Sequence, residues 1–161
     1  MKNVFSKKTI LLLVGLFIVS YIVFSGFSQN DSVFPKNQRE KTLEFSIGQR
    51  KIKAFVADTP ELQEKGLGGR ESISPDEVML FFFKISARHG IWMKDMKFPI
   101  DIFWLDQSGY VIFLKENALP SSYPEVFTPD SLAQYVLEAH VGFARENNLK
   151  IGSEISFSKN D

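Results

Sequence analysis

From residue 42 onward the chain is cut into short apolar segments by Gly, Pro and Asp turns. Segments of that length suit strands and are too short for helices that span a core. Residues 42–47 alternate strictly, with Leu43, Phe45 and Ile47 on one side and Thr42, Glu44 and Ser46 on the other. Residues 51–57 alternate again after a Gly48-Gln49 turn, which predicts a hairpin. Residues 79–83 (MLFFF) form a continuous apolar run, as expected of a strand buried on both faces. Further strands are expected at 90–94, 100–105, 110–115, 135–139 and 154–157. A short helix is expected after Asp58 or Thr59, with Pro60 in its first turn and Gly66 at its end. Another helical turn is expected at 142–148, and a proline-rich loop at 117–130. The pattern predicts a mainly β domain over residues 42–157, built as a small antiparallel sandwich or barrel with one or two short helices.

The first 41 residues read differently. Lys2, Lys7 and Lys8 are the only charges before residue 31, so this end carries +3 and the remainder −3. They precede an apolar run over residues 10–27. Eighteen residues at about 1.5 Å each reach roughly 27 Å, close to a bilayer core. A core helix would keep a polar stripe, which this run lacks. The expectation is an N-terminal transmembrane helix within residues 1–27, a signal anchor whose basic end stays cytoplasmic. The alternative is a signal peptide cleaved near Gly26 and Ser28, giving a secreted or periplasmic domain. Residues 28–41 are polar and aperiodic, and read as a linker. The partner implied by residues 10–27 is the membrane.

Composition removes several function classes. There is no cysteine, hence no disulfide, thiolate chemistry or cysteine metal site. There are two histidines, His89 and His140, so no metal site and no cofactor is expected. Net charge is zero, which argues against a nucleic-acid partner.

Five segments carry a family resemblance. They are Asp58-Thr59-Pro60 with Gly66-Leu67-Gly68-Gly69-Arg70, the run 79–83, and the stretch from Trp92-Met93-Lys94-Asp95-Met96 through Pro99-Ile100-Asp101-Ile102-Phe103. Val136-Leu137-Glu138-Ala139 with Gly142, and Gly152-Ser153-Glu154-Ile155, complete the set. In order and spacing the chain resembles the domain-of-unknown-function family 192 (DUF192). The resemblance implies a compact, mainly β domain of jelly-roll-like or distorted-barrel type, often exported, and implies no activity. Gly68, Asp95 and Met96 depart from the family's usual Met, Asn and Thr.

The candidate site residues are polar groups inside apolar segments. Asp101 and Glu138 are candidate catalytic carboxylates, each with the alternative of an internal hydrogen-bond or ion-pair role. Arg70 follows a glycine-rich turn suited to an anion, or else staples that loop to Asp101 or Glu138. Lys94, beside Trp92 on a strand, offers a charge to a ligand, or is a solvated edge lysine. Trp92, Trp104 and Tyr123 offer rings for stacking, or belong to the core. Glu138 and His140 are the single hint of a metal pair. The expected function is a membrane-tethered extracytoplasmic β domain that binds a ligand or envelope partner through Arg70, Trp92, Lys94, Asp101 and Glu138. The alternatives are an envelope-acting enzyme with Asp101 and Glu138 as acid and base, and a purely structural accessory domain.

Overall fold

The computed structural model describes residues 41–157. The expected span at 10–27 and nearly all of the linker at 28–41 lie outside them. No helix among the described residues is long and apolar enough to cross a membrane.

The order of elements is β1 (Thr42–Ile47), β2 (Arg50–Ala57), α1 (Pro60–Lys65), β3 (Glu77–Ala87) and β4 (Ile91–Trp92). There follow β5 (Ile100–Leu105), β6 (Val111–Ala118), a 3-10 turn at Pro120–Ser122, β7 (Val126–Phe127), β8 (Ala133–His140) and α2 (Phe143–Glu146). Six strands form one open sheet in the order β1-β2-β3-β8-β5-β6, and β4 pairs with β7 in a second, two-stranded sheet.

The fold is mainly β, as expected, but the antiparallel sandwich or jelly-roll-like barrel is corrected on two points. The large sheet is mixed, because β2 and β3 run parallel. It is also open, with β1 and β6 at its edges. Parallel neighbours need a crossover, and residues 58–76 supply it with α1. Thr59 caps α1 by accepting from Leu62 N–H at 3.4 Å, and Gln63 Nε2 donates to Ala57 O at 3.2 Å and to Phe82 O at 2.8 Å. The helix is thereby fixed to the end of β2 and to the middle of β3.

Both faces of the sheet are covered, so β5 is buried at every residue. Along each strand alternate side chains point to opposite faces. One face presents Val78, Leu80, Phe103, Leu105 and Leu137 to Phe143 of α2 and to Ile155. The other presents Met79, Phe81, Ile102 and Trp104 to Leu67 of the crossover and to Met93 and Phe127 of the β4–β7 layer. The expected strand at 154–157 is a single bridge between Tyr110 and Glu154, and the expected strand at 90–94 shortens to Ile91–Trp92. The loop at 117–130 contains the 3-10 turn and β7.

Candidate functional site

The two candidate carboxylates lie on opposite faces of the sheet. Across the β5–β8 ladder Asp101 is level with Ala139, and Ile102 with Glu138. Level residues share a face, and a one-residue offset changes it. Asp101 therefore joins the α2 side and Glu138 the crossover side. The geometry does not bring them into one cleft.

Both oxygens of Asp101 are hydrogen-bonded. Its Oδ1 accepts from Asn117 N–H at 2.9 Å, and its Oδ2 from Gly142 N–H and Ala144 N–H, both at 3.0 Å. It fastens the end of β6 and the start of α2 to the buried strand. A carboxylate that receives three backbone donors is a structural anchor.

Glu138 is in the opposite condition. It is buried, and its Oε2 is sealed from solvent with no hydrogen-bond partner. Burial pushes its carboxyl up to about 8, and the Leu67 backbone N–H opposes that shift only in part. At neutral pH this is an uncharged acid with an O–H to donate.

The crossover shapes the space in front of Glu138. Gly66 ends α1 at φ 49°, and a Cβ there would stand 3.2 Å from Phe81 Cζ and 3.3 Å from Glu138 Oε2. Only glycine meets both the backbone and the spatial demand. A Cβ on Gly68 would stand 2.8 Å from Lys65 O. Gly69 N–H donates to Asp95 O at 2.9 Å, which ties the glycine loop to the turn after β4. Asp95 holds φ 59°, a conformation that Asp and Asn tolerate better than other side chains. The turn can thus accept Asp in place of the usual Asn.

These pieces wall a small pocket of about 40 Å³. Glu138 and Phe81 come from the large sheet, Gly66 and Leu67 from the crossover, and Trp92 and Lys94 from β4 and its turn. Trp92 is 40% exposed and meets Tyr123 edge to face, with ring centroids 6.2 Å apart. Lys94 Nζ lies 5.6 Å from the Trp92 ring centroid and 3.8 Å from Glu64 Oε1. Three of the five residues singled out in the sequence, Trp92, Lys94 and Glu138, thus share one pocket. Arg70 lies with its guanidinium 4.5 Å from the Phe55 ring centroid, and Asp101 is across the sheet. Gly66, Ile91 and Met96 also line the pocket and carried no functional signal in the sequence.

The remaining candidates separate cleanly. Trp104 is fully buried, and its Nε1 donates to His89 O at 2.7 Å, so it is a core residue. His140 Nε2 faces Glu146 Oε2 at 3.4 Å, whereas Glu138 faces Gly66 and Leu67. No group of three or more potential metal-binding side chains occurs among the described residues.

The family model for DUF192, described as an uncharacterized ACR, matches residues 43–157. The chain belongs to the DUF192 family. No curated protein matches it. Among solved structures it is similar to a protein from Sinorhizobium meliloti 1021 described as a candidate transcription regulator. Identity is 26% and the TM-score 0.65, over 72% of this chain and 90% of that one. It is also similar to a protein of unknown function from Novosphingobium aromaticivorans DSM 12444. There identity is 26% and the TM-score 0.63, over 71% of this chain and 81% of that one. In this DUF192 chain the segments that carry the resemblance converge. The glycine loop, the run 79–83, the Trp92 stretch and the Glu138 strand each line the pocket. The segment 152–155 does not, and Ile155 packs on the other face.

Proposed function

We propose that this DUF192 chain is a membrane-tethered extracytoplasmic binding domain that receives one end of a small ligand, or of an envelope component, in the Glu138 pocket. The observation that carries the reading is Glu138, a buried carboxyl whose Oε2 has no partner and whose side chain lines a pocket. A buried polar atom left unpaired costs about 1–3 kcal/mol. A ligand group that supplies the missing hydrogen bond recovers part of that cost. Convergence of four motif segments on the same pocket adds support. The tether and its outward orientation rest on the lysines and the apolar run at 10–27.

The acid–base pair has no comparable support, since Asp101 accepts from three backbone donors on the other face. The test is an amide NMR titration of labelled protein with small hydroxylated and acylated molecules. Binding is expected to shift Gly66, Leu67, Trp92 and Lys94 together, and to be lost in Trp92→Ala. Shifts that cluster elsewhere, or none with any compound, overturn the reading.

A further inference from the structure

Glu138 is enclosed between the large sheet and the crossover. On β8 it is level with Met79 of β3 and Ile102 of β5. Both strands are tied to β8 by ladder hydrogen bonds, so none of the three moves without breaking the sheet. Above the carboxyl lies the crossover. The backbone N–H of Leu67 faces it, and a Cβ on Gly66 would stand 3.3 Å from Oε2. Residues 66–69 therefore separate the sealed, unpartnered Oε2 from the pocket outside.

This segment is held differently from the sheet. The helix before it is fixed by Gln63 to β2 and β3, and the Arg70 guanidinium after it lies over the Phe55 ring. Between those points Leu67 is buried in the core, and Gly69 N–H donates to Asp95 O in the turn after β4. Gly66 and Gly69 hold φ of 49° and 80°, and glycine passes between that region and others at little steric cost. Rotation at these two residues moves the segment and leaves its flanks in place. The charged groups around Glu138 stand at the pocket rim: Glu64 and Lys65 from α1, and Lys94 from the turn after β4. From β3 and β5 come Met79, Phe81 and Ile102, which do not titrate, and His140 at the end of β8 turns to Glu146.

We propose that residues 66–69 are a lid over Glu138, closed while the carboxyl keeps its proton and swung outward when the proton leaves, so that ionisation enlarges the pocket. A neutral acid loses little by being sealed, and a carboxylate in the same place loses far more. Moving the lid hydrates that charge and brings it toward the ammonium groups of Lys65 and Lys94, and no ladder bond of the sheet breaks. Burial holds the enclosed carboxyl at about 8, so the lid opens as pH rises past neutrality. As a control on the pocket the lid rests on the binding reading above, whereas the motion itself is tested without a ligand, so either can fail alone.

The experiment is methyl NMR of the full-length protein in detergent micelles at pH 6 and pH 9, with a soluble gadolinium chelate that broadens solvent-exposed methyl groups. Leu67, Leu80 and Leu137 are buried, and Leu119 and Leu132 are exposed. At pH 6 the Leu67 methyls are expected to be as shielded as those of Leu80 and Leu137. At pH 9 about nine-tenths of a group titrating near 8 is ionised. There Leu67 is expected to move most of the way to the broadening of Leu119 and Leu132, while Leu80 and Leu137 stay shielded. In Glu138→Gln, Leu67 is expected to stay shielded at both pH values, with melting curves confirming the fold. A wild-type Leu67 that stays shielded at pH 9 overturns the lid, and this arm needs no variant. Broadening of Leu80 and Leu137 along with Leu67 also overturns it, because the whole domain then loosens. Equal broadening of Leu67 in Glu138→Gln and wild-type overturns Glu138 as the trigger.

Discussion

Two carboxylates on neighbouring strands meet opposite fates. Glu138 has an ordinary carboxyl value of 4.5 when exposed and about 8 in the fold. Below the lower value folded and unfolded chains both hold the proton, and above the higher both release it. Between them only the folded chain holds it, so stability falls as pH rises through that window. The loss approaches about 5 kcal/mol across it, an upper bound because buried sites relax. The charged groups facing this site are Glu64, Lys65 and Lys94 at the rim, while Phe81 and Gly66 are the near neighbours inside. Glu138→Gln removes the titration. Urea unfolding at pH 5, 6, 7 and 8 is expected to show the wild-type declining and the variant nearly flat, with the variant more stable at pH 8. Asp101→Asn is expected to be about 2–4 kcal/mol less stable at every pH, because its amide turns a donor toward backbone N–H groups that Asp101 had satisfied. Parallel wild-type and Glu138→Gln profiles would remove the buried acid from the account.

At the scale of elements, much of the β framework was legible in the sequence. The alternation in Thr42–Ile47 and the apolar run at Ile100–Leu105 place β1 and β5 within their observed bounds. Thr59 and Pro60 likewise mark the start of α1. The relations between elements were not legible. The parallel pairing of β2 with β3 is set by the crossover and by burial of Leu67, which no local pattern displays. The register of β5 on β8 joins residues thirty or more positions apart, and one step of register decides which face each carboxylate takes. The pocket was partly legible for the same reason: residue types pointed to Trp92, Lys94 and Glu138, while Gly66 reads only as a helix end until the crossover folds over β8. Gly66 also supplies the element-scale prediction. In Gly66→Ala the added methyl meets Phe81 and Glu138 at a positive φ. The variant is expected to lose about 1–2 kcal/mol in urea unfolding and to lose binding at the pocket. Gly69→Ala, with open space around its Cβ and only its φ of 80° against it, is expected to lose stability and keep binding.

For the whole molecule, the proposed tether sets where the pocket works. The linker at 28–41 has fourteen residues. On the proposed reading, a polar connection of that length keeps the domain near the bilayer. A ligand in the envelope is then met at a raised local concentration, and weak affinity for one substituent can suffice when many copies lie along a polymer. In the proposed orientation the lysines at 2, 7 and 8 stay on the cytoplasmic side and the pocket lies outside. Carbonate washing of membranes is expected to leave the full-length chain in the pellet, and protease added from outside is expected to cut within residues 28–41 and release the domain. A soluble form beginning near Gln29 would replace the anchor by a cleaved signal and keep the domain outside. A chain that washes off at full length, or that external protease cannot reach, would overturn the tether while leaving the pocket chemistry to its own test.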